Sequence, residues 1–475
     1  MFAECLNRNA DQTLFICDNG TKFSYSDALE LSRRVEFKDT KRRLVFCLSA
    51  NLPGALLGYL GLMVVGAVPI MLNANIPNWQ LAKLVNIYLP DFIWMPQERI
   101  DELNGARAVF MSSGYAMMSF GKKDLHTLHD DLALLLGTSG STGSPKLVRL
   151  SLQNIISNSQ SISEYLLLTS DEIPITTLPP SYSYGLSILH SHILRGCTIA
   201  LTNRTFFDRG FWDFLQKSQA TSMGGVPYHY EMLKKLGFSK LKLPALRTLT
   251  QAGGRLNPEL GSEFANLCAR RGMRFFIMYG QAEATARLSY LSPEKAILKP
   301  NSIGQSIPGG RFWLEDESGS IQYDGNLPGE LVYQGNNVCM GYAENQQDLI
   351  KGDELGGILR TGDVARRDID GDYYIVGRLK RFLKLFGHRV SLQDIEDELQ
   401  AMGLAAACAG KDDQLDVFLS NANHDLANLI KSKLIEKLML PPSSVRVFNV
   451  EQFPRNEAGK ILYSELSQLI PDTIK

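Results

Sequence analysis

Up to about residue 370, apolar runs of strand length alternate with helical patterns of polar and apolar positions. LVFCLSA (Leu44 to Ala50), TIALT (Thr198 to Thr202), TLTQAGG (Thr248 to Gly254) and RFFIMYG (Arg274 to Gly280) read as buried strands. Strands alternating with helices predict βαβ units and largely parallel sheets, an α/β class. GELVYQG (from Gly329) and DYYIVGR (from Asp372) have the alternating, aromatic-rich pattern of antiparallel strands. Leu52 to Leu72 carries no charge, a length that could span a bilayer. Pro53, Pro69 and four glycines divide it, however, so it reads as a buried helix starting after Pro53, a turn near Gly66 and a buried strand.

Beyond Gly377 the texture changes. Ser391 offers an N-cap, with Asp394 three residues on and Leu392, Ile395 and Leu399 on one helical face. Leu426, Leu429, Ile430, Leu434 and Leu438 form a second helical stripe, and SVRVFNV (Ser444 to Val450) reads as a strand. The pattern predicts a small α+β domain at residues 379–475 after a large domain at 1–378, with the boundary at Arg378 to Arg381.

The 475 residues would allow one, two or three domains. A formal net charge of −1 supplies no basic field for nucleic acid or an anionic membrane. Seven cysteines without CxxC spacing fit reduced thiols in a cytoplasmic protein, and the N-terminus has no apolar signal-peptide core.

The strand ending at Leu136 runs into GTSGSTGSPK, Gly137 to Lys146. Glycines let backbone N–H groups converge on an anion, Thr138, Ser139, Ser141 and Thr142 add donors, and Lys146 adds positive charge. This chemistry suits nucleotide phosphates. The spacing is not the Walker form, because Ser144 and Pro145 separate Gly143 from the lysine. Taken alone, the same composition also describes a flexible surface loop.

Other motifs accompany it in order: YGQAEAT from Tyr279, GELVYQG, RTGD from Arg360, GRLKRFLKLFGHRV from Gly377 and NEAGK from Asn456. FSYSDAL (from Phe23) and VVGAVPIMLNA (from Val64) are fainter echoes. Together they resemble the adenylate-forming superfamily of acyl-CoA synthetases, peptide-synthetase adenylation domains and luciferases. The resemblance implies a large domain of mostly parallel sheets flanked by helices with a β-rich subdomain, and a small mobile C-terminal domain. The implied reaction activates a carboxylic acid with ATP to acyl-AMP, releasing pyrophosphate. Transfer then follows to a thiol, either CoA or the phosphopantetheine of a carrier protein.

The roles implied by the resemblance fall on residues that match its motifs. Thr138, Ser139, Gly140, Ser141, Thr142, Gly143 and Lys146 would cradle phosphates. Glu283 would hold Mg²⁺, with Thr142 completing the site. Tyr279 would stack on adenine beside Gly280 and Gln281, and Gly253, Gly254 and Arg255 would bring backbone to nucleotide and acid. Asp363, assisted by Arg378, would hold the ribose hydroxyls. Lys460 would neutralise the carboxylate and α-phosphate, delivered by closure of the small domain. Lys380 matches the hinge, and Arg389 resembles a phosphate-contacting arginine. Ala282 stands where the family has threonine, a missing hydroxyl worth ~1 kcal/mol. Leu147 replaces a usual glycine at a position outside the cradle.

In the acyl-pocket motif LPPSYSYGLS, Tyr182 occupies the place of a usual histidine. Ser183 stands where amino-acid-activating domains carry aspartate, so an α-ammonium would find no counter-charge. Gly225, in GGVP, and Gly253 would complete the pocket. The favoured partner is therefore a small carboxylic acid. A stand-alone amino-acid loader for a carrier protein, a silent acyl- or nucleotide-binding paralogue, and a luciferase-type oxidation are the alternatives.

Overall fold

A computed structural model describes residues 2–35, 41–103, 105–121, 127–137, 146–386, 388–438, 440–455 and 461–470. The chain divides into two compact units, Met1–Arg311 with Tyr333–Leu359, and Phe312–Val332 with Arg360–Lys475.

The first unit is built on two large mixed sheets. One runs in the order Gly341–Ala343, Leu147–Ser151, Leu132–Gly137, Val68–Asn73, Leu44–Ser49, Phe92–Pro96, Tyr115–Ser119, Arg107–Ser112. Its centre is parallel, with Leu44 beside Val68 and Ile70 beside Leu135. Every residue of Leu44–Ser49 is buried, so both faces are covered, and the strand reads as an unbroken apolar run. Both margins are antiparallel, around the parallel centre that the alternating pattern predicts. At one margin the link between Arg107–Ser112 and Tyr115–Ser119 is the two residues Ser113 and Gly114, short enough to permit only a hairpin.

The other sheet runs Gln305–Ser306, Ser289–Leu291, Arg274–Tyr279, Thr248–Gln251, Ser222–Gly225, Pro174–Ile175, Ile199–Leu201, Thr13–Cys17, Lys22–Ser24. It is parallel from Arg274–Tyr279 to Thr13–Cys17 and antiparallel beyond each end.

The uncharged stretch resolves as the pattern predicts. Helix Pro53–Val64 starts with proline in its first turn and is buried all round from Gly54 to Leu62; strand Val68–Asn73 follows. Gly58 is there for contact: a Cβ would overlap the Trp94 indole, whose Nε1–H donates to the Gly54 carbonyl at 3.0 Å. Among the described residues, no helix is long and apolar enough to cross a membrane. All seven cysteines are free and buried. Burial raises their thiol pKa values, Cys17 to about 11 and Cys197, Cys268 and Cys339 to about 12.

Two histidines of this unit, His190 and His192, are buried too, and His229 is half-buried. Desolvation lowers His190 to about 3 and His192 and His229 to about 4. An unfolded histidine titrates near 6.5, so on acidification the unfolded chain takes up protons first. The histidine contribution is therefore complete above about pH 6.5 and is lost as pH falls toward the folded values. Between neutrality and about pH 5 each should cost about 2 kcal/mol of stability, readable as a falling urea midpoint. His190→Gln should flatten that slope; an unchanged slope would contradict the assignment.

In the second unit, strand Ile358–Arg367 pairs antiparallel with Tyr373–Arg378. Strands Ala406–Lys411, Gln414–Ser420 and Val445–Val450 form a three-stranded sheet against helices Leu392–Ala401 and His424–Leu438. The first helix buries Leu392, Ile395 and Leu399 as its spacing predicts. The second buries Ile430 and Leu434, with Leu426 and Leu438 partly covered. Leu429, assigned to that stripe from sequence, is instead 52 % exposed, and Ala427 turns inward in its place. Arg381 is held by Glu396, Gln393 and the Cys408 carbonyl, with its guanidinium 3.9 Å from the Tyr463 ring centroid.

Candidate active site

The phosphate loop joins two antiparallel, buried strands. Gly137 ends one and faces Leu147, which begins the other. Residues 138–145, and with them Thr138, Ser139, Gly140, Ser141, Thr142 and Gly143, lie outside the described residues. Lys146 lies inside. Its ammonium sits 3.7 Å from the centroid of the Tyr342 ring, a cation–π contact. Leu147 is buried in the strand, consistent with a place outside the cradle.

Tyr342 connects this cation to a carboxylate. Its hydroxyl donates to Glu283 Oε1 at 3.1 Å, and burial together with the Glu283 charge raises its pKa. Its strand, Gly341–Ala343, is pinned by the fully buried Arg149. That guanidinium donates to the carbonyls of Met340, Tyr342 and Lys351 and pairs with Glu354. A buried arginine so well supplied with acceptors is a firm anchor.

Glu283 stands on a tight return of the chain. After strand Arg274–Tyr279, the Leu288 N–H donates to the Tyr279 carbonyl at 2.9 Å, closing a loop around the short helical turn Ala282–Ala284. Gly280 lies where any Cβ would overlap the Ala286 carbonyl. Two buried amides fix the return. Asn337 Nδ2 donates to the carbonyls of Ala284 and Arg287, at 3.0 and 2.9 Å, and Asn158 Nδ2 donates to the Arg287 carbonyl at 3.0 Å. Thr285 sits at φ +64°, and its hydroxyl donates to the Asn337 carbonyl. Gln281 donates to the Tyr279 hydroxyl at 3.1 Å, orienting the ring. Ala282 packs against the apolar core.

The acyl-pocket motif forms the start of helix Ser183–Leu194, with Tyr182 at its N-cap and Ser183 in its first turn. Tyr184 is buried and donates to the Thr250 carbonyl at 2.8 Å. Gly253 follows strand Thr248–Gln251 at φ +85°, and a Cβ there would overlap the Tyr182 hydroxyl. Gly225 is close against Tyr230 and His229. The small residues thus admit aromatic side chains at close range. Gly254 accepts from Gln251 Nε2 at 2.8 Å, and Arg255 is exposed.

In the second unit, strand register places Asp363 opposite Arg378. Asp363 is 1 % exposed and receives Arg378 Nε at 2.6 Å, while the arginine side chain is 48 % exposed. Lys380 lies in the turn Leu379–Arg381 and Arg389 on strand His388–Ser391; their side chains, and Lys460 altogether, fall outside the described residues. Sequence reasoning missed Tyr342, Arg149, Asn158 and Asn337. The signal available for Tyr342 was an aromatic residue shortly after GELVYQG; the amides carried none.

These features coincide with the comparisons. The family of AMP-binding enzymes matches residues 2–343. The chain is similar to the 2-succinylbenzoate–CoA ligase of Enterococcus faecalis, 26 % identical over 340 residues that cover 70 % of this chain and 68 % of the relative. It is 28 % identical to the oxalate–CoA ligase of Arabidopsis thaliana over 346 residues, 70 % of this chain and 66 % of that one. ATP-bound MatB from Rhodopseudomonas palustris shares the fold with a TM-score of 0.80 at 21 % identity, covering 100 % of this chain and 99 % of its own. The o-succinylbenzoate CoA synthetase of Bacillus subtilis, solved with its acyl-adenylate, superposes at 0.76 and 18 % identity over 98 % and 97 %. With the family model matched over residues 2–343, most of the chain, this protein belongs to the family of AMP-binding enzymes.

Proposed function

We propose that this enzyme is an AMP-forming acid–thiol ligase. A carboxylate oxygen attacks the α-phosphorus of ATP, and the bond to pyrophosphate breaks, giving acyl-AMP. The sulfur of CoA then attacks the acyl carbon, and AMP leaves. A carboxylate is a poor electrophile; the mixed anhydride is a good one. CoA ligases among the relatives support CoA as acceptor over a carrier protein.

The observation that carries this reading is the connected series Lys146, Tyr342 and Glu283 at the mouth of the glycine-hydroxyl loop. The series sets a cation, at the residue that follows the glycine-hydroxyl segment, close to a hard oxygen donor, which supports the reading. Glu283 Oε1 accepts the Tyr342 hydroxyl, which orients the carboxylate as an anionic oxygen donor of the kind Mg²⁺ prefers. Bound there, the ion would neutralise phosphate charge. Thr138 to Lys146 cradle the triphosphate, and Tyr279 and Gly280 pack on the base. Ser183 leaves an α-ammonium uncompensated, which favours an acid without one.

ATP–pyrophosphate exchange with a panel of acids and amino acids tests the reading. Exchange with acids supports it, exchange only with amino acids replaces it with carrier loading, and none with any substrate favours a silent binder. Tyr342 gives a finer test. Tyr342→Phe keeps the ring under Lys146 and removes the bond to Glu283, which should raise the KM for MgATP about fivefold. Tyr342→Leu removes both contacts and should cost more. Equal behaviour of the two variants and the parent enzyme would show that the ring and hydroxyl are only packing.

A further inference from the structure

Arg287 ends the loop that carries Glu283, and it is 3 % exposed. A guanidinium this buried calls for acceptors, and Arg149 shows how the fold supplies them: three carbonyls and a carboxylate. Arg287 is supplied quite differently. Its Nε donates to the thioether sulfur of Met278 at 3.4 Å, and its guanidinium carbon lies 4.0 Å from the centroid of the Tyr184 ring. Among the described residues it has no carboxylate within ion-pair distance. Among the described residues, sealed side-chain atoms that lack a hydrogen bond occur at Tyr115 OH, His192 Nε2 and His229 Nδ1, and no nitrogen of Arg287 is one of them.

The position of this charge is specific. Tyr184 belongs to the first turn of the helix that Tyr182 caps, and the two rings meet edge to face with centroids 6.3 Å apart. The Arg287 charge reaches the Tyr182 hydroxyl, opposing the upward push of burial on that phenol. Tyr182 in turn lies against Gly253. One loop therefore presents a carboxylate to the phosphate end at Glu283, and, four residues on, a cation to the wall of the acid pocket. A thioether and aromatic faces solvate a guanidinium without neutralising it. An incoming anion would find a bidentate donor already desolvated and oriented.

We propose that Arg287 selects an acid bearing a second, distal carboxylate. The inference rests on the ligase reading above and narrows its substrate class. The carboxylate to be activated faces the phosphates, and the distal one completes the ion pair that the protein leaves open. Monoacids of the same length would bury a methyl group against the guanidinium.

The test compares straight-chain α,ω-dicarboxylic acids with monocarboxylic acids of equal length, in pyrophosphate exchange and in thermal shift. The parent enzyme should favour its best diacid about 10- to 100-fold in kcat/KM over the matched monoacid. Arg287→Leu should abolish or reverse that preference, and Arg287→Lys should retain a reduced one. A preference for monoacids in the parent enzyme, or an unchanged ratio in a folded Arg287→Leu, would overturn the proposal. The parent comparison decides even if the leucine variant fails to fold. Thermal stabilisation by diacids that requires Arg287, without exchange, would uphold this inference and sink the ligase reading; exchange with monoacids alone would do the reverse.

Discussion

Lys460→Ala should lower adenylation, read as pyrophosphate exchange, by about a thousandfold. The same variant should make thioester from supplied acyl-AMP at close to the parent rate. Two anions must approach for the first half-reaction, the substrate carboxylate and the α-phosphate, and bringing them together in a site depleted of water is strongly opposed by Coulomb repulsion. An ammonium between them removes that opposition only while both are present as anions. In the second half-reaction the acyl group is already esterified and the attacking group is a thiol, so the lysine has no such charge to offset. The split between half-reactions is the diagnostic readout, because a lysine needed only for folding would depress both equally. Equal losses would withdraw the assignment of Lys460.

Gly280→Ala is expected to cost about 3 kcal/mol in the stability of the first unit, with loss of most exchange activity. The methyl group would coincide with the Ala286 carbonyl oxygen, which is backbone and cannot rotate away. Relief requires opening the return that Asn337 and Asn158 hold closed, and that shift carries Tyr279 and Glu283 with it. Urea unfolding and exchange measured on the same preparation check both effects. Parent-like stability would mean that the loop opens at little cost, and that the two amides do not constrain it.

Which parts of the site could be read from sequence follows from how each part is encoded. The strands ending at Gly137 and Tyr279 are short, mostly apolar runs, legible because a strand covered on both faces is apolar on both, whereas Thr248–Gln251 is buried with Leu249 as its one apolar residue. Gly253 was expected to bring backbone beside nucleotide and acid, and Gly280 to lie by the base; that Gly253 meets the Tyr182 hydroxyl and Gly280 the Ala286 carbonyl is visible only in the structure. Asp363 and Arg378, fifteen residues apart by number, are joined through strand register, which a turn motif alone does not reveal. Tyr342, Asn158 and Asn337 escaped notice because each acts on a segment distant in sequence. A tyrosine beside a glycine has no pattern that points at residue 283, and a buried asparagine differs from an exposed one only by its partners. Arg287 was hidden for the opposite reason. An arginine in YGQAEATAR reads as surface charge, and only its burial without a counter-ion gives it meaning. The largely parallel centres of the sheets were legible in the alternation of strands and helices; their antiparallel edge strands were not, since a strand such as Gly341–Ala343 pairs with one far away in sequence.

The seven sealed cysteines have a chemical consequence for an enzyme of this kind. Acyl-adenylates acylate thiolates, and every cysteine thiol of this chain is buried and held toward its protonated form. The folded protein thus keeps its own thiols from competing for an activated acyl group, and leaves thiol chemistry to a sulfur that arrives from outside.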